Sequence, residues 1–205
     1  VTTITLTNNN TFTVGTALSG TGNLTQAASA TLNIGGTSGI TTLTASASSN
    51  TVNFTGAAQT VNNNSYVNLG LSGSLAKTLQ TGTTSITGNL ALSGTATTAT
   101  VVGLTIGGTL TVGDGTTFTA AGFALTITGT TTVGGGSTGN LTISSATGTK
   151  IFTGLVTINT GATWNNSGNS PLTFRGGITT TPTFTGGSGL HTFDTNSQAL
   201  TGTFS

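Results

Sequence analysis

The chain has 205 residues, of which only 2% are Asp, Glu, Lys or Arg, and its formal net charge is +1. An ordinary globular domain carries roughly 25% charged residues, so no basic face is available to displace counterions from a nucleic acid, and that partner class is excluded. There is no cysteine, which removes disulfide frameworks and thiolate metal sites, and no apolar run approaches the roughly 20 residues of a membrane span.

Read from its start, the chain alternates between apolar and hydroxyl residues. Val1-Thr2-Thr3-Ile4-Thr5-Leu6-Thr7 does so, then the turn-forming Asn8-Asn9-Asn10, then Thr11-Phe12-Thr13-Val14. This period of two, rich in β-branched residues, predicts half-buried strands. Punctuation follows at Gly35-Gly36 and Asn62-Asn63-Asn64, then at Gly107-Gly108 and Gly134-Gly135-Gly136, and finally at Gly176-Gly177 and Gly186-Gly187. Between these breaks come further strands such as Leu125-Thr126-Ile127 and Val156-Thr157-Ile158. Helix formers are scarce, and no stretch has helical periodicity. Leu, Ile, Val and Phe are spread along the whole length, whereas disordered chains combine few such residues with high net charge. An ordered, all-β chain is expected.

The strands recur. Thr111, Thr126, Thr142, Thr157 and Thr173 lie 15–16 residues apart, and the looser series Leu32, Val52, Leu71, Leu90 and Leu110 steps by 19–20. A unit of 15–20 residues is too short for a propeller blade and suits one coil of a β-solenoid. The expected fold is therefore an all-β, single-stranded parallel β-solenoid over residues 1–205 as one continuous domain. Stacked at about 4.8 Å, roughly eleven such coils make a rod of about 50–55 Å, stable only through neighbouring coils.

One longer phrase occurs twice. Val52-Asn53-Phe54-Thr55-Gly56-Ala57-Ala58-Gln59-Thr60-Val61 is similar to His191-Thr192-Phe193-Asp194-Thr195-Asn196-Ser197-Gln198-Ala199-Leu200, with Phe and Gln five apart in both. The end of the chain thus reads as able to run into another beginning. With no Met and a first residue of Val1, the sequence reads as a processed product or a segment of something longer.

Together with Leu69-Gly70-Leu71-Ser72-Gly73, Lys77-Thr78-Leu79 and Gly88-Asn89-Leu90-Ala91-Leu92-Ser93-Gly94, the first of these phrases resembles the repetitive regions of large bacterial surface proteins. These are the autotransporter-like and filamentous-haemagglutinin-like adhesins and extracellular fibres. The resemblance is one of style over most of the chain, without an invariant motif. It implies a right-handed β-helix, secretion, and a role as stalk, adhesin or fibre. It carries no catalytic residue over, and the family's capping and secretion regions have no counterpart here.

Chemistry-bearing residues are few: Lys77, Lys150, Arg175, Asp114, Asp194 and His191. The two carboxylates, placed about five coils or 24 Å apart by the 15–16-residue step, are too distant for the two-carboxyl chemistry of glycosidases. His191 and Asp194 are three apart in a strand and face opposite sides. All six ionisable groups are expected at solvated outer positions. Gly134-Gly135-Gly136-Ser137 lacks the Lys and helix of a phosphate loop, and the single Gly113-Asp114-Gly115 reads as a turn rather than a calcium site. Tyr66 and Trp164 are expected as core or corner packing rather than sugar platforms. Asn-x-Ser/Thr triplets at Asn9, Asn23, Asn53, Asn63, Asn140 and Asn165 are no more than the composition supplies by chance. Thr111, Thr126, Thr142, Thr157 and Thr173 form a candidate outward column of the kind an ice-binding face would need, but Arg175 interrupts its neighbour. No catalytic, metal or cofactor residue is expected, and the binding residues stay open. The expected function is an extracellular, cell-surface structural protein that forms a filament, sheath or stalk by self-assembly of stacked coils, not an enzyme. The alternative is an adhesin passenger or an ice- or glycan-binding face. The expected partner is the chain itself, as homopolymer or contiguous repeats, with surface glycans as a further candidate and no membrane insertion.

Overall fold

Alternation becomes strand throughout: the computed structural model describes residues 4–195 and 197–205, and among them there are 25 strands and no helix. The opening alternation over Val1-Thr2-Thr3 lies outside the described residues. Every pairing is parallel, each strand bonding to the equivalent strand one coil earlier and one coil later. The chain is a β-solenoid.

Three sheets form the walls. The long face has ten strands: Thr11–Val14, Thr31–Ile34, Thr51–Phe54, Asn68–Leu71, Leu90–Leu92, Leu110–Val112, Thr131–Val133, Val156–Ile158, Ile178–Phe184 and Leu200–Phe204. We number the coils one to ten by these strands. A second face carries Gln59–Thr60, Ser74–Thr78, Thr95–Ala99, Thr117–Ala120, Asn140–Ile143 and Thr163–Asn165. The third carries Ser85–Ile86, Leu104–Ile106, Leu125–Ile127, Lys150–Phe152, Leu172–Phe174 and His191–Phe193. The first coils close against a separate sheet of Thr5–Asn8, Ala17–Gln26 and Thr37–Thr44.

The coil is longer than the 15–16-residue step. Along the long face the repeat runs from 17 residues, Thr51 to Asn68, to 25, Thr131 to Val156. Thr111 and Thr157 stand on the long face, Thr126 and Thr173 on the third, and Thr142 on the second. The 15–16-residue step is thus two-thirds of a coil, and three such steps from Thr111 to Thr157 make two full coils. The looser 19–20 series is the true one: Leu32, Val52, Leu90 and Leu110 share an inward column, with Leu69 rather than Leu71 between them. Ten coils instead of eleven give a rod of about 48 Å.

Inward positions fill the rod with stacked apolar columns. Leu32, Val52, Leu69, Leu90 and Leu110 are buried, as are Phe118, Leu141 and Trp164 on the second face. Towards the last coils the columns become aromatic. Phe174 stacks on Phe152 and Phe193 with centroids 5.5 Å away in each case, and Trp164 and Phe184 pack against it from across the rod. Tyr66 and Trp164 are core residues. At the corner between the long and second faces, Gly73, Gly94 and Gly115 adopt positive φ one above the other. A Cβ on Gly115 would sit 2.7 Å from the Gly94 carbonyl oxygen, so both the conformation and the close approach require glycine.

Candidate functional site

Outward polar groups form ladders along the faces, and a few inward ones bind the corners. The uninterrupted outward threonine row is not the expected column but Thr111, Thr132, Thr157, Thr179 and Thr201, stacked on the long face in coils six to ten. It is about 19 Å long, and among the described residues none of its hydroxyls donates a hydrogen bond. On the same face nearer the other end, Asn53 donates to Asn33 at 2.8 Å and Asn33 to Thr13 at 3.2 Å.

The ionisable residues depart from expectation. Lys77 and Lys150 do not face solvent: they are 0% and 1% exposed. Both occupy inward positions of the alternation, Lys150 between Leu125 and Leu172 in the third-face column. Lys77 Nζ donates to the carbonyls of Gly56, at 2.6 Å, of Ser74, at 3.2 Å, and of Ala57. Lys150 Nζ donates to those of Phe123, Thr147 and Gly148, each at 2.9 Å. Burial lowers the pKa of both lysines.

Asp114 is at the surface, as expected, but it is not an idle turn residue. One carboxylate oxygen accepts backbone N–H bonds from Gly135, Ser137 and Thr138 of the next coil, at 2.7, 3.3 and 2.9 Å. Those bonds, led by Thr138 and Gly135, hold its pKa below the ordinary aspartate value. The glycine-rich stretch is therefore the cradle of a carboxylate. Arg175 and Asp194 form a two-pronged pair, 2.9 and 3.2 Å, on adjacent coils. The hydrogen bond with Arg175 lowers the Asp194 carboxyl and raises the guanidinium. With two lysines inside and this pair mutually neutralised, Asp114 is the one unpaired acidic group at the surface among the described residues.

Asp114 follows the sixth long-face strand and Asp194 follows the third-face strand of coil nine. They are three coils apart, not five, on different corners. That is about 14 Å along the rod, still beyond the 5–9.5 Å at which two carboxyl groups share a glycosidic bond. His191 Nε2 meets the Gly186 carbonyl at 3.1 Å and its ring lies against Phe174. Among the described residues no three His, Cys, Asp or Glu side chains gather to hold a metal.

The repeated Phe/Gln phrase has a structural explanation. Gln59 Nε2 donates to the carbonyls of Ile34 and Gly36 in the coil beneath. Gln198 Nε2 donates to Phe174, also in the coil beneath, and to Asp194. Ile34 and Phe174 are the residues stacked directly under Phe54 and Phe193. Each phrase is thus a strand end followed by a corner that Gln locks to the coil below. The copies sit on different faces, the long and the third, so their likeness is local and does not superpose one end of the rod on the other.

What this set of groups can do chemically is hold coils together and present a neutral, hydroxyl-rich exterior. Compared with family models, with curated proteins and with solved structures, the chain matches none.

Proposed function

We propose that the chain is a structural element of an extracellular or cell-surface fibre, sheath or stalk, lengthened by stacking further coils on its ends, and that it is not an enzyme. The observation that carries this reading is the state of the two end coils. At one end Phe193, Leu200 and Phe204 are exposed around a recess of about 340 Å³ floored by Ile178 and Phe184. At the other Ile4 and Leu6 are exposed beside a recess of about 290 Å³ lined by Leu18, Leu24 and Ile40. Both ends are edges of parallel sheets, whose unpaired N–H and C=O groups template another strand. Soluble proteins guard such edges with charge. Here the first coils contain no ionisable side chain at all, and Asp194 at the other end is paired with Arg175.

Another coil supplies both the missing hydrogen bonds and the missing apolar neighbours, whether it belongs to the same polypeptide or to a second copy. The intact mass of native material separates the two: 19.9 kDa means stacked copies, and a much larger mass means contiguous repeats. Sedimentation velocity tests extension itself. The isolated chain grows into longer particles as concentration rises, and Leu200→Lys with Thr203→Lys on the last edge strand stops the growth. A chain that stays monomeric at every concentration, in native material of 19.9 kDa, contradicts the proposal.

A second reading, a binding face of an adhesin for ice or a neutral glycan, draws on the five stacked threonines of the long face. Thr132→Lys and Thr157→Lys abolish ice shaping or glycan adhesion if that face binds. Unchanged adhesion removes this reading.

A further inference from the structure

Two of the three basic side chains lie within the rod, and they share a plan. Each is placed three residues after a corner carbonyl of its own coil: Ser74 for Lys77 and Thr147 for Lys150. Each also reaches a carbonyl of the coil beneath, Gly56 and Ala57 for Lys77 and Phe123 for Lys150. Three acceptors converge on each nitrogen, and only the ammonium form has three N–H groups to give them. No carboxylate takes part, since Asp114 is bound by the backbone of Gly135, Ser137 and Thr138 and Asp194 by Arg175.

The glutamine corners show that the match is numerical. Gln59 and Gln198 each have two amide hydrogens, and each satisfies two carbonyls, Ile34 and Gly36 for one, Phe174 and Asp194 for the other. Corners that turn two carbonyls inward are closed by an amide; corners that turn three inward are closed by an ammonium. A buried carbonyl left without a donor costs about 1–3 kcal/mol. The Gly56 oxygen also accepts the Ser74 N–H, and three oxygens converging on one point still make a strong demand for a cation. All the oxygens are neutral, and a divalent ion of the calcium type takes carboxylates among its ligands. The cage therefore suits a small monovalent cation.

We propose that the three-carbonyl corners at Lys77 and Lys150 are monovalent-cation sites that the chain fills with its own ammonium groups, and that shortening either lysine opens the site to free ammonium or potassium. The lysines then hold adjacent coils together as a bound ion would, without dependence on ions in the medium.

The test compares wild type, Lys150→Ala and Lys150→Met by thermal unfolding in ammonium, potassium and choline chloride at equal ionic strength. Lys150→Ala is expected to unfold earlier than wild type in choline and to regain about 3 °C or more, saturably, in ammonium or potassium. Lys150→Met, whose side chain fills the space without charge, is expected to be destabilised and not rescued. Equal recovery of Lys150→Ala in all three salts, or recovery in none, overturns the proposal. Should Lys150→Ala not fold in any salt, the wild type decides. Lysine side-chain ¹⁵N spectra at neutral pH are expected to show two slowly exchanging, charged ammonium groups, and neutral or freely exchanging amines overturn it.

Discussion

Replacing Phe174 by Ala tests the packing account where it is most concentrated. The side chain is fully buried, stacked 5.5 Å from Phe152 below and 5.5 Å from Phe193 above, with Trp164 and Phe184 each 6.1 Å away. Truncating a phenylalanine so placed costs about 3–5 kcal/mol. Four large rings around the vacancy cannot all collapse into it, so the upper half of that range is expected. In a globular core the loss would weaken the whole molecule. In a solenoid, stability is a chain of nearest-neighbour interfaces, and Phe174 serves only those joining coil eight to coils seven and nine. The expected result is local. Amide hydrogen exchange in the variant is accelerated from Leu172 to Phe204, while protection from Thr11 to Phe152 is unchanged. Leu32→Ala, also fully buried but in coil two, is expected to do the reverse and loosen the first coils alone. Acceleration spread evenly over all ten coils, or a loss under about 1 kcal/mol, would refute the reasoning.

Four further outcomes follow from the same geometry. Gly115→Ala, at φ +77 and with a Cβ 2.7 Å from the Gly94 carbonyl, is expected to cost about 1–3 kcal/mol by denaturant unfolding. Gly39→Ala, with nothing within 4 Å, should leave stability unchanged or raise it by up to about 1 kcal/mol. Asp114 has a lowered folded pKa, so its stabilising contribution is present above the unfolded value of about 3.9 and is lost as pH falls through the folded one. The stability difference between wild type and Asp114→Asn should therefore be constant from about pH 8 to pH 5 and vanish in stronger acid, and a difference that persists below pH 2 would count against the cradle. Gln59→Leu leaves the Gly36 carbonyl without its donor, while the Ile34 carbonyl keeps the Thr55 N–H, and should cost about 1–3 kcal/mol.

Much of the fold was legible because alternation is a direct image of the pleat. Thr11-Phe12-Thr13-Val14 and Leu125-Thr126-Ile127 are strands where the period of two puts them. Coil length was harder to see. The Leu-Thr-apolar triplet serves all three faces alike, so the strongest spacing in the sequence joined different faces, and only the weaker 19–20 series followed one. The coil of 25 residues is stretched equally at two corners, by the Gly134–Gly139 loop that wraps Asp114 and by residues 144–149 before Lys150, and neither has a strand signal of its own.

The interior lysines were missed because Lys is almost never fully buried without a partner, and backbone carbonyls leave no trace in a sequence. A signal was nevertheless present. Setting Lys150-Ile151-Phe152 against Leu125-Thr126-Ile127 and Leu172-Thr173-Phe174 puts Lys150 in the inward leucine column. The Phe/Gln phrase was visible at once, but its meaning was not. Spacing alone cannot distinguish a repeated corner from a repeated end, and the hydrogen bonds of Gln59 and Gln198 decide for the corner.

Extension by coil stacking is tested most directly by cryo-electron microscopy of particles formed by the purified chain at increasing concentration. The proposal predicts filaments one solenoid wide, whose strand spacing of about 4.8 Å continues without interruption across the junction between Phe204 of one copy and the Thr11–Val14 strand of the next. Discrete rods of about 48 Å at all concentrations, with Phe193, Leu200 and Phe204 still facing solvent, would contradict it.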